Sequence, residues 1–206
     1  MTALTLPQLS TANADFVTPQ LAVGGDLDSR EPTALAQLHE LTECGVTHIV
    51  DTRLEANDAD FVHRFAVATS RELRHLHHGV DDRGQAIPHT WFEVGVQFTQ
   101  AAIDAGGVVL THCHMGINRG PSLGYAVLLG QGWDAVEALS AIRAARPIAY
   151  IDYADDALAW YHARVGSESA HLIRDVRRVA QWRKENYLDV AQVIRKVRAD
   201  DLRRWR

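Results

Sequence analysis

The segment THCHMGINRGPS, residues 111–122, sets a cysteine, two histidines, two glycines and an arginine directly behind the apolar run VVL at 108–110. An apolar run without alternation suits a central parallel strand covered on both faces. Helical spacing resumes at residues 121–129, and Pro121 fits a first helical turn, where the missing N–H has no internal partner anyway. A buried strand that stops, loops and restarts as a helix gathers backbone N–H groups around one point, and the helix start adds partial positive charge there. The loop from Cys113 to Arg119 therefore reads as an anion cradle, with Gly116 allowing the backbone to turn tightly. A thiol ordinarily near ~8.5 falls by one to several units in such a setting. The planar fork of Arg119 matches two phosphate oxygens. A thiolate at the floor of this cradle is placed for in-line attack on phosphorus, with no metal required.

Outward from this segment, strand and helix patterns alternate. Phe16-Val17 and Leu21-Ala22-Val23 read as an edge hairpin ended by Gly24-Gly25. Ser29 and Pro32 signal the start of a helix that Gly45 stops, with Leu35, Leu38 and Leu41 at helical spacing. Residues 46–50 (VTHIV) read as a strand followed by Asp51-Thr52-Arg53, residues 60–71 as a helix, and residues 73–80 as a strand opening into the polar loop Asp81-Asp82-Arg83-Gly84. A helix opens at Pro88, with Trp91, Val94, Phe98, Ala101 and Ala105 on one face and Gly106-Gly107 at its end. Asp134 and Glu137 make a capping box for residues 135–145, which Pro147 ends, and residues 150–165 read as one more helix. The order implies an α/β fold whose central, mostly parallel sheet is flanked by helices.

The totals are compatible with this. A chain of 206 residues, 47% apolar and 23% charged, is long enough for one domain with its own core and an appendage. A net charge of −5 gives no general attraction to nucleic acid or membrane. No run approaches the ~18 apolar residues of a membrane span, and the start MTALTLPQLSTANAD lacks a secretory pattern. Two cysteines make no disulfide framework, so a cytoplasmic setting is expected. Near Gly166 the composition shifts. Residues 166–206 hold 11 Lys and Arg against 6 Asp and Glu, and Leu172, Val176 and Val179, then Val190, Ile194 and Val197, keep helical spacing. The reading is a catalytic domain over residues 1–165 and a helical extension over 166–206. That extension would pack on the domain or form a homodimer; an RNA-binding arm is the weaker reading, because the charge is interleaved rather than blocked.

The string His112-Cys113, then Gly116 and Arg119, resembles the His-Cys-x-x-Gly-x-x-Arg signature of cysteine-dependent protein phosphatases. The flanks FVTPQLAVGG, CGVTHIVDTR and AVLLGQGWDAVEALSAIRAARP resemble the compact dual-specificity branch, over roughly residues 15–165. The resemblance implies a dual-specificity-type fold and hydrolysis of phosphate monoesters through a phosphocysteine, on phosphotyrosine or phosphoserine/threonine protein. Cys113 becomes the nucleophile and Arg119 the phosphate clamp; His114, Met115, Gly116, Ile117 and Asn118 complete the phosphate loop. His112 would hold that loop, and Met115 and Ile117 form an apolar rim. The general acid is an aspartate about thirty residues upstream, where Asp81 and Asp82 both qualify; the positions of Ile87 and Trp91-Phe92 favour Asp82. An acid there must carry a proton at the working pH, implying an acidic optimum.

Gly120 departs from the pattern, because the family usually has Ser or Thr after the arginine to hydrogen-bond the departing cysteine sulfur. Slow breakdown of the phosphoenzyme follows, unless Asn118 or a water substitutes. The absence of a hydroxyl also keeps a weakly active phospho-binding module in view, and the Asn118-Arg119 pair resembles RNA 5′-triphosphatases of the cysteine type. The eleven histidines invite a metal reading, above all His75, His77 and His78 and the pair His112 and His114, since alternate strand positions share a face. No carboxylate spacing completes such a site, so no metal or other cofactor is expected.

Overall fold

Side chains along the inner strands alternate between two hydrophobic clusters: Leu21, Val23, Val50 and Val109 enter one, Ala22, Ile49 and Leu110 the other. This period of two is what a sheet buried on both faces requires. The computed structural model that carries this sheet describes residues 5–204. Its strands are β1 (Ala14–Thr18), β2 (Leu21–Gly24), β3 (His48–Arg53), β4 (Arg74–Val80) and β5 (Val109–His112). They lie in the order β1-β2-β5-β3-β4; β1 pairs antiparallel with β2 and every other pairing is parallel. The sheet is mixed and mostly parallel, and its carboxyl ends converge around the loop after β5. In open α/β sheets that is where ligands bind.

Helices α1 (Glu31–Glu43) and α2 (Ala59–Thr69) cover one face; α3 (His89–Asp104), α4 (Arg119–Gly130), α5 (Ala135–Ala145) and α6 (Ala154–Arg164) build the other. Burial of α4 all round, from Arg119 to Leu129, explains its near-continuous apolar sequence. Asp134 caps α5 through the amides of Val136 and Glu137.

Three expected elements shift. The α1 N-cap is Arg30, not Ser29, with Pro32 in the first turn. In α3 the buried stripe is Trp91, Phe92, Gly95, Val96, Thr99, Ala102 and Ile103, while Val94 is 48% exposed. Small residues set that face: a Cβ on Gly95 would come within 2.7 Å of Leu123, so the close approach of α3 to α4 outweighs the apolar character of Val94. Residues 150–153 are not helical, because the amides of Tyr150 and Ile151 turn back to the carbonyl of Ile117 and Ile151 takes a φ of 59°.

Beyond α6, helix α7 (Ser169–Glu185) seats Val179 and Trp182 in the larger cluster, and helix α8 (Val190–Arg204) follows. Charged residues of α7 are tied into the fold: Arg178 pairs with Asp134 and Asp175, Arg183 with Asp155, and Asp175 with buried His162 of α6. Residues 1–4 and 205–206, at the two ends of the expected division, lie outside the described residues. No described helix is long and apolar enough to cross a membrane.

Candidate active site

Cys113 follows the last residue of β5 and is 2% exposed, its amide donating to the Gly24 carbonyl of β2 at 3.2 Å. The chain then turns through Gly116 at a φ of +66°. A side chain there would strike Arg146 and the backbone of Gly24, so glycine is required by space as well as by angle. Arg146, only 4% exposed, donates to the carbonyls of Gly116 and Met115 at 2.6 and 3.0 Å, and further N–H groups reach Asn13 and Asp15. Because N–H and C=O point oppositely across a planar trans peptide, carbonyls drawn outward turn the Gly116 and Ile117 amides inward. Arg146 thereby shapes the cradle without entering it.

Helix α4 starts at Arg119 itself, two residues before the helical spacing of the sequence resumes. The guanidinium is gripped on one edge: Nη1 donates to Glu55 at 2.8 Å and to the Val80 carbonyl at 3.1 Å, and Nη2 donates to Glu55 at 2.6 Å. Nε is buried without a hydrogen-bond partner and lies 3.3 Å from Asp82. An Nε–H and an Nη2–H thus remain side by side, the fork geometry that receives two oxygens of a phosphoryl group. Burial works against the Arg119 charge, but Glu55, Cys113 and Asp82 outweigh it and hold the pKa above its ordinary value. The same pairing drops Glu55 to about 2.

The two candidate acids face different ways. Asp82 accepts from Asn118 at 2.7 Å and from the Tyr153 hydroxyl at 3.0 Å, beside Arg119. The Asp81 carboxylate pairs instead with Arg83 at 3.0 Å. Tyr153, pushed up to about 12 by burial and then by Asp82, stays a neutral donor. Asn118 is committed on both sides: its amide nitrogen goes to Asp82, and its oxygen accepts from Ser122 and from the Asp152 amide.

Gly120 has a steric reason. A Cβ there would lie 2.7–2.9 Å from the backbone of His112 and Thr111, while Thr111 Oγ1 donates to the Gly120 carbonyl at 2.9 Å. Helix α4 is pressed against β5 too closely for any side chain at that point. Of the other loop residues, His114 is exposed and bonded to Asp26 at 2.6 Å, and Met115 is half-buried. Ile117 is 5% exposed and part of the interior, so the apolar rim expected of it does not form; its carbonyl anchors Tyr150 instead.

Behind the loop, Asp51 is wholly buried and bound bidentately by Arg53, which also contacts Asp58 and Asp26. The rings of His75 and His112 stand beside it. Burial pushes His75 down to about 4 and also lowers His112, so both imidazoles are neutral at pH 7. Thr52 Oγ1 donates to the His112 carbonyl at 2.6 Å and fixes the strand end from which Cys113 emerges. At the other cysteine, Cys44 at the end of α1, burial and then Glu40 and Glu43 push the thiol up.

Glu55, Arg146 and Tyr153 escaped the sequence reading. Glu55 follows the carboxyl end of a central strand, a position that counts as a signal once the sheet order is known. Arg146 looked like a routine cation at a helix C-terminus.

Comparison with known proteins agrees with this geometry. Residues 30–152 match the family model described as "Dual specificity phosphatase, catalytic domain". Dual specificity protein phosphatase 15 of Mus musculus is 28% identical over 136 residues, 65% of this chain and 50% of that protein. Protein phosphatase Slingshot homolog 3 of Mus musculus is 31% identical over 136 residues, 66% of this chain and 19% of that protein. The chain thus spans half or less of the length of these curated relatives. Among solved structures, PTPMT1 in complex with PI(5)P superposes with a TM-score of 0.61 at 16% identity, covering 75% of this chain and 97% of that one, a likeness of fold.

Proposed function

The chain belongs to the dual specificity phosphatase family, and on that premise we propose that it hydrolyses phosphate monoesters through a phosphocysteine on Cys113. The Cys113 sulfur attacks phosphorus while the bond to the leaving oxygen breaks, and Asp82 delivers its proton to that oxygen. Water then attacks the phosphocysteine, the S–P bond breaks with the electron pair returning to sulfur, and the Asp82 carboxylate takes the water proton. Inward amides of the loop and the Arg119 fork carry the charge of both transition states. The observation that carries the reading is the buried Arg119 Nε–H, held without a hydrogen-bond partner beside Cys113 and Asp82 by Glu55.

Asp82 is assigned as the acid over Asp81 because its carboxylate lies at Arg119 and Asn118. Phosphotyrosine or phosphoserine/threonine protein is the substrate class, since the loop carries none of the lysines that a polyanionic lipid headgroup would call for. Residues 1–165 are the catalytic unit and residues 166–206 its extension, of which α7 braces the unit through Val179 and Trp182. A reducing cytoplasm keeps Cys113 a thiol. With Gly120 packed on β5 and Asn118 committed to Asp82, no side-chain hydroxyl helps the sulfur depart, so dephosphorylation of the enzyme limits turnover.

A panel of phosphopeptides, 5′-triphosphate RNA and phosphoinositides, run beside Cys113→Ser, tests the assignment. Turnover of phosphopeptides with a pre-steady-state burst is expected, and Cys113→Ser should abolish it. Asp82→Asn should lower kcat by about 10²-fold or more, and Asp81→Asn by much less. A preference for RNA triphosphate would replace the substrate class, and peptide binding without turnover would reassign the chain as a binding module.

A further inference from the structure

The cluster behind the catalytic loop holds more than the mechanism uses. Asp51 on β3 pairs across the ladder with His112 on β5, and His75 on β4 pairs with Ile49, two positions before Asp51 and so on the same face. Three strands thereby bring two imidazoles and a carboxylate together beneath α2, with candidate ligand atoms all within 4.8 Å of one another. All three side chains are at most 5% exposed. Both nitrogens of His75 and Nδ1 of His112 are buried without a hydrogen-bond partner. Unsatisfied buried polar atoms of this number are uncommon and call for an explanation. Between the rings lies a cavity of about 10 Å³, lined by His75, His112 and Asp58 among apolar neighbours, the room for one water-sized sphere. Asp58 is 27% exposed and gives the cavity a polar mouth.

We propose that Asp51, His75 and His112 form a buried site for a borderline divalent transition-metal ion of the Zn²⁺ class. The Nε2 atoms of His75 and His112 stand 4.0 and 3.9 Å from the Asp51 oxygens, too far for direct hydrogen bonds. Ligands at ~2.0–2.2 Å from a tetrahedral ion lie about 3.3–3.6 Å apart, so the Asp51 pairs must close by about half an ångström and the widest pair of the cluster, bounded by 4.8 Å, by more than that. Two imidazoles and one carboxylate are ligand types such ions take, and a water supplies the fourth place. Charge balance favours the cation: Asp26, Asp51 and Asp58 surround the single charge of Arg53, leaving two negative charges in excess. Arg53 occupies one edge of the Asp51 carboxylate and leaves Oδ2 a further lone pair. An ion held there ties the start of β4 to the carboxyl-terminal parts of β3 and β5, directly behind Cys113.

The test uses the full chain carrying Cys113→Ser, so that the nucleophile cannot supply a thiolate ligand. Co²⁺ titration followed by visible spectroscopy, with Zn²⁺ competition and thermal melting, reads occupancy without reference to turnover. One Co²⁺ per chain is expected, showing visible d–d bands without near-ultraviolet sulfur charge transfer, displaced by Zn²⁺ and raising the melting temperature. Adding His75→Phe should weaken binding by more than about 100-fold, beyond what loss of an outer-sphere partner costs. Should His75→Phe fail to fold by circular dichroism, His75→Gln decides: lost d–d bands support the site, and retained bands overturn it. Binding that needs the Cys113 sulfur, that is indifferent to His75, or that is absent in a large molar excess of Co²⁺ over protein overturns the proposal.

Discussion

Two arginines serve the phosphate loop from opposite sides, and both side chains are 5% exposed. Every guanidinium nitrogen of Arg146 is engaged: Nε by Gly116, Nη1 by Asp15, and Nη2 by Asn13 and Met115. Arg119 is anchored along one edge only, by Glu55 and the Val80 carbonyl, and keeps Nε without a hydrogen-bond partner on the other. The difference separates structure from chemistry better than burial does. A buried cation with every nitrogen engaged holds backbone in place; one with a buried nitrogen left unmatched waits for an anion, because an unmade buried hydrogen bond is costly until a ligand supplies it.

Replacing each arginine should break the symmetry between them. Arg119→Lys, which keeps the charge and loses the fork, should lower kcat by at least about 10³-fold with only a small change in melting temperature. Arg146→Met leaves the Gly116 and Met115 carbonyls without donors and should cost on the order of 1–3 kcal/mol in urea unfolding. Its loss of vanadate affinity should follow from a loosened loop. If Arg146→Met instead lost activity at unchanged stability, the division of labour argued here would fail.

Smaller effects sharpen the comparison. Gly120→Ser supplies the hydroxyl but drives a Cβ into the His112 backbone, so it should destabilise by about 1–3 kcal/mol and leave the burst in place. Glu55→Gln should lower kcat about tenfold through a less well-oriented Arg119, with rescue by Glu55→Asp only partial. Glu55 sits at about 2 against an ordinary 4.5, so the pair's contribution to stability is whole above pH 4.5 and is lost as the pH falls through about 2. Acid melting of Glu55→Gln should lack that component. Its size will be modest, since the Glu55 side chain is 54% exposed.

The legible parts of the molecule were those fixed by local pattern. The apolar run before Cys113, the glycine at 116 and the proline at 121 gave β5, the loop and α4 in one reading, and Asp134 marked α5 to the residue. What local pattern missed depends on distant packing. The inward face of α3 is set by Gly95 and Thr99, whose small size matters only once Leu123 of α4 lies against them. Glu55 reads as an ordinary loop carboxylate until the sheet order sets β3 beside β5 and turns it onto Arg119. Likewise the carboxylate that no spacing supplied to the histidines comes from a neighbouring strand, where register and not sequence distance puts Asp51 between His75 and His112.

The most direct measurement is a rapid acid quench of the enzyme turning over a ³²P-labelled phosphopeptide, followed by peptide mapping. The label should accumulate within the first turnover on the peptide that contains Cys113, and should be absent from Cys113→Ser. Label on a histidine or carboxylate, or turnover surviving in Cys113→Ser, would contradict the account.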